Sequence, residues 1–307
     1  MVSVCPRESK FSSFAAGWRV DGVVDVFGSQ VCDLLENSIA VYRRCGAKGP
    51  CFAYRAVCQA LYSWREVGMD AELTIVVPAK NEVTMLPKLL ESLCRQDYSG
   101  MAQTRVLVAD AGSTDGTVEV ALGFKDRLRV EVVAGGLPSV GRNAGARLAT
   151  TKYVLFLDAD VELPEATLLR RALWRMERRE LHLATTNIAC REGGFFDDLL
   201  YAGNNLMQRV GSLTKPFATG MFMLFDREAF WRLGGFNERA LFAEDYLLSK
   251  GVARIRFRIV RGRVLTTNRR FQKLGHGRMV WMFFKTMLHS WDEGYFLEDQ
   301  GYWGEAG

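Results

Sequence analysis

The stretch Tyr153-Val154-Leu155-Phe156-Leu157-Asp158-Ala159-Asp160 sets five apolar residues directly before two acids that flank a single alanine. An apolar run of that length suits a strand buried on both faces, the kind found in parallel sheets covered by helices. Outward from it the same design recurs. Residues 73–77, 106–109 and 130–133 are further β-rich runs, and Leu86, Leu89, Leu90 and Leu93 fall at helical spacing between the first two. A helical stretch over 140–149 precedes the quoted strand. Strand and helix alternate as a parallel α/β sheet requires. Downstream the pattern predicts a helix over 164–178, strands over 183–190 and 221–225, and short helices over 227–233 and 244–250 that stop at Gly234-Gly235 and Gly251.

The chain has 307 residues, 49% of them hydrophobic and 24% charged, with a mean hydropathy of −0.03. These values fit a globular enzyme and exclude disorder, collagen and coiled coil. The longest apolar run, 279–288, is broken by Lys285 and is too short to span a bilayer, so an integral membrane protein is not expected. Arg7, Arg19, Asp21 and Asp25 interrupt the amino terminus, which argues against a secretory signal. Seven cysteines without a C-x-x-C pair, and only three histidines, point to a reduced cytoplasmic chain rather than a zinc site. Residues 1–71 read as a separate, helical amino-terminal extension without evident chemistry.

In open parallel sheets ligands bind beyond the carboxyl ends of the strands. Here those ends are acidic. The first run leads into Pro78-Ala79-Lys80-Asn81-Glu82, the second into Asp110-Ala111-Gly112-Ser113-Thr114-Asp115-Gly116, and the fourth into Asp158-Ala159-Asp160. No G-x-G-x-x-G or G-x-x-x-x-G-K-[ST] follows a strand, which argues against a dinucleotide fold and a P-loop. Asp158 and Asp160 suit a hard cation, Mg²⁺ or Mn²⁺, whose remaining positions a diphosphate and water would fill; the competing reading is a cap on the helix near Pro164. The turn Gly135-Gly136-Leu137-Pro138-Ser139 before Gly141-Arg142-Asn143-Ala144-Gly145 either brings backbone and Arg142 close to a nucleotide or ends in a plain cap by Ser139. Glu244-Asp245 opens a helix, so the pair either complements the helix dipole or supplies a general base.

The formal charge of +5 is mild, yet 252–278 carries Arg254, Arg256, Arg258, Arg261, Arg263, Arg269, Arg270, Lys273 and Arg278 and no acid. Arg254, Arg256 and Arg258 alternate with Ile255, Phe257 and Ile259, which predicts one strand with a cationic face, suited to phosphate or simply solvated.

Taken together in order, Val76 to Glu82, Asp110 to Thr117, Gly141 to Gly145, Phe156 to Asp160, Thr219-Gly220, Arg227 to Phe230 with Gly234-Gly235-Phe236, and Glu244-Asp245 resemble the motifs of the family 2 glycosyltransferases with the GT-A fold. The resemblance covers 72–278 and implies a Rossmann-like, mainly parallel mixed sheet flanked by helices. It implies transfer of a sugar, with inversion, from a nucleotide-diphosphate sugar, a UDP-sugar favoured over a GDP-sugar, onto a glycan or lipid-linked acceptor. Pro78, Ala79, Glu82, Asp110 and Arg142 would then contact the nucleotide, Asp158 and Asp160 would hold Mn²⁺ or Mg²⁺, and Asp245 would be the base. Thr219, Gly220 and Glu244 would lie by the sugar or acceptor, Arg269 and Arg270 by the leaving phosphates, and 192–215 would form a lid.

The Q-x-x-R-W motif of processive synthases is missing, so single-sugar transfer in cell-envelope glycan synthesis is expected. Residues 279–307 form an aromatic amphipathic tail, suited to peripheral contact with the inner face of a membrane. Two other classes compete: a nucleotidyltransferase, disfavoured because 78–82 offers a glutamate and no glycine, and a non-catalytic basic module binding anionic lipid or nucleic acid, which leaves the acidic strand ends unexplained.

Overall fold

The computed structural model describes residues 73–289, Asp292 and 294–298. The expected extension over 1–71, and the end of the tail, lie outside the described residues. Seven strands form one sheet in the order β3-β2-β1-β4-β6-β5-β7. They are β1 (Leu73–Ala79), β2 (Arg105–Asp110), β3 (Arg129–Ala134), β4 (Tyr153–Phe156), β5 (Leu183–Cys190), β6 (Met223–Asp226) and β7 (Phe257–Thr266). β1 pairs in parallel with β2 and β4, β2 with β3, and β5 with β7, whereas β6 runs antiparallel to both β4 and β5. The sheet is mainly parallel and mixed, as the alternation predicts.

Helices cover both faces, and the side chains of each strand divide between them. On one side Ile75, Val77, Val108 and Leu155 pack with α1 (Leu86–Cys94) and α4 (Leu168–Arg179). On the other, Val76, Leu107, Val154 and Phe156 pack with α3 (Pro138–Leu148), α6 (Arg227–Arg232) and α7 (Glu244–Ser249). The second core is aromatic: Phe156 lies 5.0 Å from Phe236 and 5.1 Å from Phe230, ring to ring. The remaining helices are α2 (Thr117–Leu122), α5 (Phe195–Gly211), α8 (Arg269–Leu274) and α9 (His276–Leu288).

Two local expectations change. Arg254–Arg256 is a 3₁₀ turn and β7 begins only at Phe257, so Arg254 and Arg256 do not share a strand face with Arg258. A bulge then interrupts β7, since Thr186 pairs with Val260 and Asn187 with Arg263; Gly262, at φ 133°, supplies the conformation the bulge needs and its carbonyl accepts from Asn187 Nδ2. The cap readings also fail. α4 starts at Leu168, well beyond Asp158 and Asp160, and α3 starts at Pro138 with Ser139 inside its first turn and its hydroxyl making no cap bond.

The reversal of β6 shapes the carboxyl edge of the sheet. Because Met223 pairs with Phe156, β6 begins at the carboxyl edge of the parallel strands, and the Thr219-Gly220 turn before it is delivered to that edge. α3 crosses beneath the same edge at close range. A β-carbon on Gly145 would stand 2.8 Å from Val76 Cγ2 and closer still to Cγ1, inside a fully buried contact. Alanine gains about 1 kcal/mol over glycine as a helix former, but this collision with a stiff β-branched neighbour outweighs it. Gly145→Ala is therefore expected to lower stability by about 1–2 kcal/mol in urea denaturation.

Candidate active site

Two strand-end loops are joined into one wall. Asn81, in left-handed conformation at φ 53°, donates from its backbone to Ser113 Oγ (2.9 Å) and accepts from Thr114 N (3.0 Å), while the Glu82 amide donates to Thr117 Oγ1 (2.8 Å) and the Val83 amide to Asp115 Oδ2 (3.1 Å). Asp110 ends β2 and accepts from the Gly112 and Ser113 amides, both at 3.0 Å, and from Ser113 Oγ. The wall thus consumes Asp110, Asn81, Asp115 and Thr117 in its own rigidity, and it leaves Pro78 half-buried and Ala79 buried at its base. The Asx-turn chemistry of the D-A-G-S-T-D-G-T run is the signal for Asp110, Asp115 and Thr117.

At the centre lies Arg142, on α3 and only 3% exposed. Its Nη2 donates to Asp158 Oδ1 at 2.6 Å and its Nη1 to Glu244 Oε1 at 2.5 Å, and its guanidinium carbon sits 5.3 Å from the Phe236 ring centre. Burial opposes its charge, but the Asp158, Glu244 and Asp245 carboxylates outweigh burial and raise its pKa above the usual guanidinium range. Gly220 lies against this fork: a β-carbon there would strike the guanidinium and come within 3.2 Å of Asp158 Oδ1. The Gly220 amide in turn donates to Asp245 Oδ2 at 2.8 Å, and the Tyr246 amide donates to Asp245 Oδ1 at 2.7 Å. Burial and the neighbouring Glu244 charge push the Asp245 carboxyl up to about 7, against the pull of Arg142. Asn143 fastens the support, exchanging bonds of 2.8 and 3.0 Å with the Phe236 backbone.

A second cluster flanks the first. Arg269 reaches Glu82 with bonds of 2.8 and 2.9 Å and lies 3.5 Å from Asp160, which also accepts from Thr267 Oγ1 at 3.3 Å. Burial lifts the Glu82 carboxyl above its ordinary range, Arg269 pulls the other way, and the charges of Asp160 and Asp158 add to the lift. The side chain of Arg270 lies outside the described residues. Of the basic run, Arg269 is bonded to these acids, whereas Arg254 bonds the Leu213 carbonyl and Arg256 pairs with Glu180. The run is thus not gathered at the site.

Glu82, Asp158, Asp160, Glu244 and Asp245 outnumber Arg142 and Arg269. Among the described residues no cage of three or more metal-ligating side chains forms. Asp158 and Asp160 keep side-chain exposures of 31% and 26%, so the donor set is two accessible carboxylates amid excess negative charge. That set fits a hard cation shared with phosphate oxygens.

Comparison with known proteins identifies the family of the chain. The model of glycosyl transferase family 2 matches residues 74–234. The chain belongs to that family. As a family 2 glycosyltransferase it is 38% identical over 93 residues to validoxylamine A glucosyltransferase of Streptomyces hygroscopicus subsp. jinggangensis, a match covering 29% of this chain and 22% of that one. It is 26% identical over 248 residues to 4,4'-diaponeurosporenoate glycosyltransferase of Staphylococcus haemolyticus, covering 74% and 62%. The matched stretches thus span between about a fifth and three-fifths of these relatives' lengths. In three dimensions this family 2 chain resembles the mannosyltransferase PcManGT of Pyrobaculum calidifontis, solved with GDP-Man and Mn²⁺, at a TM-score of 0.51 and 20% identity over 76% of this chain and 72% of that one. That likeness establishes the GT-A fold.

Arg142 is the test of how the site is held. Arg142→Met would leave Glu244 buried and Asp158 without their cation, and is expected to destabilise by about 3–5 kcal/mol in urea denaturation. Arg142→Lys should recover only part of that loss, because one ammonium cannot span both carboxylates as a planar fork does.

Proposed function

We propose that the chain transfers one sugar, with inversion and without processivity, from a nucleotide-diphosphate sugar to a hydroxyl or phosphate of a lipid-linked or glycan acceptor, in a metal-dependent reaction. The observation that carries this reading is the Arg142 fork, which ties Asp158 to Glu244 and sets Asp245 beside them with a raised pKa. A single-displacement transfer needs a base on the acceptor side and relief of negative charge on the leaving side. Asp245 would be that base, and Arg269, together with the cation that Asp158 and Asp160 would hold, would give that relief.

In this reading Asp245 takes the acceptor proton as the acceptor oxygen forms its bond to the anomeric carbon and the bond to the diphosphate oxygen breaks. The Gly220 and Tyr246 amides hold its carboxylate in place. Glu244 and Gly220 fix the floor of the sugar or acceptor site. Thr219 belongs there too, since its hydroxyl is buried without a hydrogen-bond partner and is thus available to a ligand. Pro78, Ala79, Glu82 and Asp110 form the nucleotide wall, and Arg142 serves it from beneath by positioning Asp158. Asp158 and Asp160 would hold Mn²⁺ or Mg²⁺, which supplies Lewis-acid neutralisation of the departing diphosphate. Arg269 and Arg270 would meet the leaving phosphates, Arg269 exchanging Glu82 and Asp160 for phosphate oxygens.

A UDP-sugar is the favoured donor class. The mannosyltransferase of the same fold was solved with GDP-Man, so both nucleotides belong in the test. The setting that suits a lipid-linked acceptor is the cytoplasmic side of a membrane, reached by peripheral contact; among the described residues no helix is long and apolar enough to cross one.

Asp245→Asn is expected to lower sugar transfer by about 10²–10⁴-fold while donor binding persists, the range of a lost general base. Only the deprotonated carboxylate accepts the proton, so wild-type kcat should rise with pH and level off above about 7. Full transfer by the variant would remove the base assignment. In calorimetric titration, Asp158→Ala should abolish Mn²⁺-dependent binding of the donor; unchanged binding would overturn the metal assignment.

A further inference from the structure

Helix α5 is inside out. Its buried side carries Asp197, Tyr201 and Gln208, whereas its exposed side carries Phe195 (76% exposed), Leu199, Leu206 (61%) and Val210. These four recur at i, i+4, i+11 and i+15, one continuous stripe on a helical surface. A helix that only covered a core would present the opposite pattern. Two inward polar residues, Asn205 and Asp197, explain the orientation, whereas Gln208 is buried without a hydrogen bond. Asn205 accepts from Ile188 N at 2.9 Å and donates to Ile188 O at 2.8 Å, completing β5 where β6, paired only at Leu183 and Ala184, no longer reaches it. Asp197 accepts from the Gly194 amide and Asn268 Nδ2 and meets His276 Nε2 at 2.7 Å, fastening the start of α5 to α8 and α9. The apolar side is therefore held outward by bonds on the inward side.

Other exposed apolar side chains stand near both ends of α5. At its start the Phe196 ring lies 6.1 Å from His276, the first residue of α9, where Trp281 and Phe284 are exposed and stack at 5.8 Å. Beyond its end stands exposed Leu213, whose carbonyl accepts from Arg254, beside exposed Ile255. The rim is mainly cationic: Arg209 bonds Asn187 next to Asn205, and Arg261 and Arg263 line the same open cleft, against Glu165 in the cleft and exposed Asp198 at the start of α5. The basic run that is not gathered at the active site is thus partly accounted for along this helix.

We propose that the outer face of α5, continued by α9, docks in the interface of an anionic bilayer, with Arg209, Arg254, Arg261 and Arg263 against lipid headgroups. Aromatic and aliphatic side chains enter the headgroup boundary while arginines at the margin add attraction to negative lipid. The cationic rim selects this occupant over a second copy of the chain, which would bring the same positive charge to its own surface. The docking face rests on the lipid-linked acceptor reading and deepens it, because it places a membrane surface on the same body as the sugar site.

The test is co-sedimentation of the full chain with vesicles of phosphatidylcholine alone or with phosphatidylglycerol added as the anionic lipid. The expected result is binding to the anionic vesicles that weakens with salt, abolished in Leu206→Glu/Val210→Glu. Arg209→Ala/Arg263→Ala, which leaves the apolar stripe intact, should weaken it by roughly 25-fold, about fivefold per arginine. Mn²⁺-dependent thermal stabilisation by UDP and GDP, measured on every variant, reports the nucleotide site separately: vesicle binding lost with nucleotide binding kept is the expected outcome for the glutamate variant. No binding to anionic vesicles, or equal binding by the glutamate variant, overturns the docking proposal and leaves sugar transfer standing. So does a dimer in sedimentation velocity that the glutamate variant dissociates, since that means a second copy already covers the stripe. Vesicle binding with no nucleotide effect in the wild type would instead remove the transferase reading.

Discussion

A guanidinium sealed under the carboxyl edge of the sheet must be neutralised where it lies, and the rest of the site is arranged around that requirement. Taking Arg142 out of water costs several kcal/mol unless charged partners surround it. Asp158 and Glu244 are those partners, and they come from the end of β4 and the start of α7. The fork therefore fixes the separation of a strand end and a helix start that no peptide linkage holds together. Gly220 can approach only because it lacks a β-carbon, and its amide then orients Asp245. Electrostatics, sterics and backbone bonding all meet on one side chain.

The sheet makes the meeting possible. Parallel strands bring Ala79, Asp110 and Asp158 to one edge, but Thr219 and Gly220 arrive there only because β6 runs backwards and begins where its neighbours end. The same short β6 leaves the outer part of β5 unpaired on that side, and Asn205 of α5 fills the gap. One topological irregularity thus serves both the pocket and the outward-facing helix.

Much of the fold is legible in the chain. Apolar runs with acidic ends locate β1, β2 and β4 within two residues, and the Leu86, Leu89, Leu90 and Leu93 stripe is buried as its spacing predicts. Asp158, Glu244 and Asp245 stand out in sequence as acids at element ends, and the structure brings them together. Less legible is the bonding of Arg142 to Asp158 and Glu244, which lie far from it in the chain. Residues 192–215, expected as a lid, hold α5, which is bonded to β5 through Asn205. The alternation of Arg254, Arg256 and Arg258 suggests one strand face, but a 3₁₀ turn and a bulge divide it. In each case the local pattern is real and a longer-range bond decides its use.

Sequence by itself determined the sheet, its helical cover and the acidic character of its carboxyl edge, because burial on two faces and helical spacing are written within single elements. It also carried the ordered motifs by which the family is recognised. Tertiary structure alone decided which carboxylates share Arg142, why Asp245 holds its proton so high, and which side of α5 faces outward. Those outcomes depend on distances between residues far apart in the chain and on the water excluded between them. Local composition records neither.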